Sequence, residues 1–136
     1  MSVHLTATAI KLLSDPNFAI LSTIMPDGAP HASAMWVDVE GDWVVMATTT
    51  DTQKYRNISL DPRVCITVQS RDDPYLELVI HGRVAEIRTD GRETLDRLSV
   101  QYYGVTPYPL YAGEQDWVTL LVTVDDEYTS EGAERY

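Results

Sequence analysis

The chain is poor in cysteine, in basic residues and in long apolar runs, and each shortage excludes something. One cysteine, Cys65, in 136 residues cannot close an internal disulfide, so burial rather than cross-linking must hold the fold. Its neighbours Val64 and Ile66 mark a strand interior, and we expect a structural thiol there rather than a reactive one. Ten Lys plus Arg against 21 Asp plus Glu give a formal charge of −11; no basic stripe for a nucleic-acid backbone is available, and an anionic ligand needs a local pocket. No stretch stays apolar for the ~20 residues of a membrane span, and Met1 to Ile10 lacks the charged start and apolar run of a secretory leader. A soluble, cytoplasmic protein with neither nucleic-acid nor membrane partners is the expectation.

Motifs for several chemistries are also missing. There is no Gly-x-Ser-x-Gly, no Walker-type loop and no Gly-x-Gly-x-x-Gly, which removes nucleophilic hydrolysis and Rossmann-type dinucleotide binding. His4, His31 and His81 stand at no metal-ligand spacing, so no metal site is expected.

What is present reads as one domain, residues 1–136, without repeats or linkers. A short amphipathic helix, Thr8 to Leu13, turns Ala9, Leu12 and Leu13 to one side and stops at Asp15-Pro16. The period then changes to two. Phe18 to Met25 and Pro30 to Val39 flank the turn Pro26-Asp27-Gly28, and Glu40-Gly41-Asp42 leads into Trp43 to Thr49. A polar helix, Asp51 to Leu60, precedes a strand from Arg63 to Gln69, and a long strand runs from Tyr75 to Ile87. Helix Thr89 to Tyr103, a Pro/Tyr-rich loop and a last strand, Trp117 to Val124, complete the order, with an acidic tail from Asp125 expected to fray. Six strands and three short helices predict a mainly β fold, a small closed antiparallel barrel.

Two features go beyond the fold. From Ala32 to Val37 both faces of a strand are apolar where the tight hairpins leave no crossover helix to cover the second face; a partner subunit or a flat aromatic ligand would cover it, Trp36 above all. Thr48-Thr49-Thr50 runs into a helix whose first turn carries Gln53 and Lys54, one of only two lysines, with Asn57 three residues on. Hydroxyls and a lysine at a helix N-terminus make a phosphate cradle. An ordinary cap by Thr50 or Asp51 explains the same residues equally well.

Three stretches together carry a resemblance: Asp27-Gly28-Ala29-Pro30-His31 leading to Met35-Trp36-Val37; Thr48-Thr49 with Lys54-Tyr55-Arg56-Asn57 and Asp61-Pro62-Arg63; and Pro107-Tyr108-Pro109-Leu110-Tyr111. In this order and spacing the chain resembles the pyridoxamine 5′-phosphate oxidase-like split β-barrel superfamily, in its branch that uses the deazaflavin coenzyme F420. The resemblance implies a six-stranded antiparallel split barrel, a homodimer, and a cofactor in a groove between the two copies. It places Ala34, Met35, Trp36 and Val37 along the ring, and Thr48, Thr49, Gln53, Lys54 and Asn57 on the phosphate. Tyr75, from the partner chain, closes the ring pocket. The implied reaction is hydride transfer between the deazaflavin and an unsaturated small organic substrate, with the cofactor supplying the chemistry. FMN in an oxidoreductase or flavin carrier, and a non-catalytic cofactor-binding module, are the alternatives. The thin basic complement, Lys54 with Arg56 on another face, favours F420, whose anionic tail then asks for Arg83 or Arg71 at the exit. Tyr102, Tyr103, Tyr108, Tyr111 and His31 are unranked as proton donors.

Overall fold

In the computed structural model, residues 4–111, 113 and 115–130 are described. Every strand pairing is antiparallel, and all seven strands belong to one sheet. In chain order the elements are α1 (Ala7–Ser14), β1 (Ala19–Ile24), β2 (Pro30–Met35), β3 (Asp38–Glu40), β4 (Trp43–Thr49), α2 (Gln53–Leu60), β5 (Arg63–Gln69), β6 (Glu77–Arg88), α3 (Gly91–Tyr103) and β7 (Trp117–Thr129).

The sheet order is β2-β1-β5-β6-β7-β4-β3, which places β2 and β3 at opposite edges although Met35 and Asp38 are three residues apart. Three residues reach about 11 Å at most. The two edges are therefore neighbours in space, and the sheet closes on itself into a split barrel. Here the structure corrects the expectation of six strands: the run Pro30 to Val39 breaks at Trp36-Val37, its first part pairing with β1 and the part from Asp38 on pairing with β4 at the far edge of the sheet.

The core follows the period of two. Leu21, Ile66, Val68, Leu78, Ile80, Leu120, Val122 and Val124 point into the barrel with Val44 and Met46 of β4. The first helix, capped by Thr6 Oγ1 at Ala9 N (3.2 Å), buries Ala9, Leu12 and Leu13 against this core. The 13-residue helix α3 covers the outside of β4, packing Leu95 and Leu98 on Ala47. Gly91 allows that approach: a Cβ there would stand 2.2 Å from the Trp117 carbonyl carbon, so no other residue lets α3 begin against β7.

Two strands differ in extent. The long strand starts at Glu77 rather than Tyr75. The last one continues five residues past Val124 through the acidic segment expected to fray. Its acids have partners: Asp126 meets His81 Nδ1 at 2.7 Å, Asp125 lies 3.5 Å from Arg83 Nε, and Glu127 accepts from Thr6 N and Oγ1, both at 2.8 Å. The rest of the expected tail, from residue 131 on, lies outside the described residues.

Candidate functional site

Where the barrel is split, the chain leaves a cleft of about 290 Å³ between the end of β2, the end of β4, the start of α2, helix α3 and the loop after α3. Ala34, Met35, Trp36, Thr48, Thr49 and Lys54 line it, so six of the ten site residues expected from the sequence converge. Thr52, Ala47, Leu95, Leu98, Tyr108 and Trp117 complete the wall.

Four expected residues do not join them. Val37 is fully buried in the core; its N–H donates to Tyr102 Oη at 3.0 Å and its carbonyl accepts from Gln101 Nε2 at 2.9 Å. Asn57 is also fully buried, donating to Thr23 Oγ1 at 3.0 Å and accepting from Gln53 Nε2 at 2.8 Å. Its offset of three from Lys54 suggested a shared face, but the amide lies beneath the helix and ties α2 to β1. Gln53 is absorbed by the same chain of bonds, with Arg56 Nη2 donating to its Oε1 at 3.0 Å. Tyr75 is 89% exposed and borders a different cavity, of about 570 Å³, beside α1. That larger cavity gathers Asp15, Asp72 and Asp73, and its one cation, Lys11, is paired with Asp15 at 2.8 Å. An anionic group finds little there, so the smaller cleft is the better site.

The helix cap is Thr52, not Thr50 or Asp51. Its hydroxyl oxygen accepts from Tyr55 N at 3.3 Å and stands 3.2 Å from Thr48 Oγ1. Thr49 Oγ1 donates to Asp51 Oδ1, which turns that acid aside. The backbone N–H groups of Gln53 and Lys54, in the first turn, have no acceptor among the described residues. Nor does Lys54 have a hydrogen-bond or ion-pair partner there, although the side chain is half-buried and burial pushes its ammonium below the usual lysine value. A desolvated cation without a counter-ion is costly unless something anionic arrives. In the same wall the indole N–H of Trp117 is buried with no acceptor among the described residues. The Lys54 ammonium, the two helix-end amides and the indole N–H are all donors, and the set fits a phosphate beside a flat ring.

The other wall is aromatic. Trp36 stacks on Tyr102 (ring centroids 4.9 Å, 9° between planes) and meets Tyr103 and Tyr108 edge-on. Its own chain therefore covers much of Trp36, so the indole does not depend on a ligand or partner for burial. Ala32 and Ala34, by contrast, are exposed. Arg83, paired with Asp125, and Arg71, whose Nη1 donates to the Pro16 carbonyl at 3.3 Å, both lie away from the cleft. Thr52 escaped the sequence reading because any of several hydroxyl or acidic residues before Gln53 could cap the helix. Leu95 and Leu98 carry no sequence signal that sets them apart from any apolar residue of a helix.

A single antiparallel sheet whose two edge strands, β2 and β3, come together at one seam onto such a cleft defines the split-barrel class. The chain belongs to the pyridoxamine 5′-phosphate oxidase family, which it matches over residues 5–130, and its fold is that of this family's flavin-binding oxidoreductases. Among solved structures it is similar to an F420 reductase: 34% identical, covering 87% of this chain and 94% of that one, with a TM-score of 0.79. A conserved hypothetical protein from Mycobacterium tuberculosis is 23% identical over 99% of this chain and 92% of that one, TM-score 0.71. General Stress Protein 26 from Bacillus anthracis is 21% identical over 93% and 94%, TM-score 0.69. These last two share the fold. A comparison with curated proteins gave no match. No helix among the described residues is long and apolar enough to cross a membrane.

Proposed function

We propose that the protein is an oxidoreductase that holds the deazaflavin F420 in this cleft and, as a homodimer, reduces or oxidises a small unsaturated organic compound. The observation that carries the reading is Lys54, a half-buried ammonium with no partner among the described residues at the N-terminus of α2. It would take the cofactor's phosphate with the amides of Gln53 and Lys54, while Ala34, Met35 and Trp36 border the ring. When bound, the cofactor supplies the hydride; the chain's residues hold it and shape the space above it.

The charge count favours the deazaflavin. A terminal phosphomonoester such as that of FMN carries close to two charges at neutral pH, whereas a phosphate esterified on both sides, as in F420, carries one. One lysine matches one charge, since Arg56 is turned to the Asp51 carbonyl at 3.0 Å and to Gln53. The 34% identical F420 reductase points the same way. FMN stays as a second reading on one observation: Arg71 and Arg83 lie elsewhere, so no basic exit awaits a polyanionic tail.

The second copy belongs on the outer face of β2, β1 and β5. There Ile20, 41% exposed, pairs with Ala34 and Thr67, and Ser22 pairs with Ala32 and Cys65, a small-residue, uncharged face continuous with the cleft at Ala34. Tyr75 of the other copy would approach the ring from that side. We place the protein in the cytoplasm, where a lone thiol such as Cys65 stays reduced.

Equilibrium titration of the purified protein with F420 and with FMN, followed by fluorescence, tests the cofactor. Preference for F420 supports the proposal; preference for FMN replaces it with the second reading; no binding of either overturns both in favour of a different ligand.

A further inference from the structure

We infer that Tyr108 is the substrate-side hydrogen-bond donor of the cleft and selects planar conjugated carbonyl compounds; this rests on the cofactor reading above. Four tyrosines follow or end α3, and the structure separates them. The Tyr102 phenol is fully engaged: it donates to the Asn17 carbonyl at 2.6 Å and accepts from Val37 N at 3.0 Å. The Tyr111 hydroxyl donates to Asp96 Oδ1 at 3.0 Å, and the Arg92 guanidinium lies 4.4 Å over its ring. Tyr103 is half-exposed and does not line the cleft. Tyr108 lines it, packed against Trp36 in a cleft that Lys54 also lines, and its hydroxyl has no hydrogen-bond partner among the described residues.

The position of Tyr108 is fixed rather than accidental. Its backbone N–H donates to Asp96 Oδ1 at 2.8 Å, the same oxygen that receives the Tyr111 hydroxyl. One carboxylate of α3 thereby pins the loop at two points. The ring packs edge-on against Trp36 at 5.7 Å and against Tyr111 at 5.3 Å. A rigid phenol with a free O–H beside an aromatic wall offers a planar molecule stacking plus one donor, and Leu95, Leu98 and Ala47 offer nothing polar on the floor. An acceptor oxygen conjugated to the ring system of the substrate satisfies that donor; a hydrocarbon of the same shape leaves it unpaired.

The test uses the F420-loaded protein in equilibrium dialysis against 1-indanone and against indane, which has the same bicyclic shape without the carbonyl. The wild type should prefer 1-indanone by about tenfold, the worth of one net hydrogen bond. Tyr108→Phe should abolish the preference while F420 uptake stays at the wild-type level, and Tyr103→Phe should keep the preference. A preference that survives in Tyr108→Phe, or a wild type that is indifferent or binds neither compound, overturns the inference. Failure of the wild type to take up F420 overturns the cofactor reading and this inference with it; intact uptake with an unchanged preference overturns this inference alone.

Discussion

Asn57 Nδ2 and Thr23 Oγ1 lie 3.0 Å apart beneath α2, and this contact joins the helix that presents Lys54 to the first strand of the barrel. Neither residue touches solvent appreciably, at 0% and 2% exposure. Asn57→Ala leaves Thr23 Oγ1 and Gln53 Nε2 without their partner. Unfolding in urea should then show a loss of ~1–3 kcal/mol, with F420 affinity of the folded variant unchanged. A large loss of affinity at unaltered stability would return Asn57 to the cofactor.

Tyr102 does for the barrel seam what Asn57 does for α2. Its phenol bridges Asn17 O and Val37 N across the point where β2 ends. Tyr102→Phe should lower stability by ~1–3 kcal/mol in the same denaturation experiment, and Trp36 should retain its fluorescence environment because the stacked ring is kept.

Alkaline pH should unlatch the loop. Burial first, and then its bond to Asp96, push the Tyr111 phenol up to about 12 from its ordinary value near 10. The folded chain therefore keeps a proton that the unfolded chain has lost. The stability tied to it is complete below pH 10 and declines as the pH climbs from 10 through 12. Tyr111→Phe should flatten that decline without abolishing it, because burial raises Tyr102 in the same direction. Urea titrations at stepped pH read the slope.

Much of this was legible in the residues. The apolar alternation of Leu78 and Ile80 matches the inner face of the long strand, the Pro and Gly turns mark the β1–β2 and β3–β4 hairpins, and Thr48, Thr49 and Lys54 line one cleft. The break at Trp36-Val37 was not legible, because it answers to closure of the sheet and no local signal marks it. Asn57 misled for a related reason: helical spacing tells which residues are neighbours on α2, and not which side of α2 the barrel occupies. Asp125, Asp126 and Glu127 looked like a tail because their partners, Arg83, His81 and Thr6, are at least 40 residues away.

The proposed dimer face makes its own prediction. A carboxylate at position 20 would sit in the middle of the uncharged rows Ile20–Ala34 and Ile20–Thr67. Ile20→Asp should convert a dimer to a monomer in sedimentation equilibrium while the monomer stays folded, since Ile20 points away from the core. A variant that sediments as the wild-type dimer would move the interface elsewhere.

Lys54→Met is the variant on which the account turns. Burial lowers the Lys54 ammonium, so the free protein carries a penalty that is present at neutral pH and relieved as the pH rises toward 10.5, where the unfolded chain also loses the proton. Removing the charge should leave the free protein as stable or more stable. F420 affinity, measured by fluorescence titration at pH 7, should fall by about tenfold to a hundredfold, the ~1.5–3 kcal/mol of a charge-assisted hydrogen bond. Wild-type affinity in that variant would contradict the account and leave the start of α2 an ordinary capped helix.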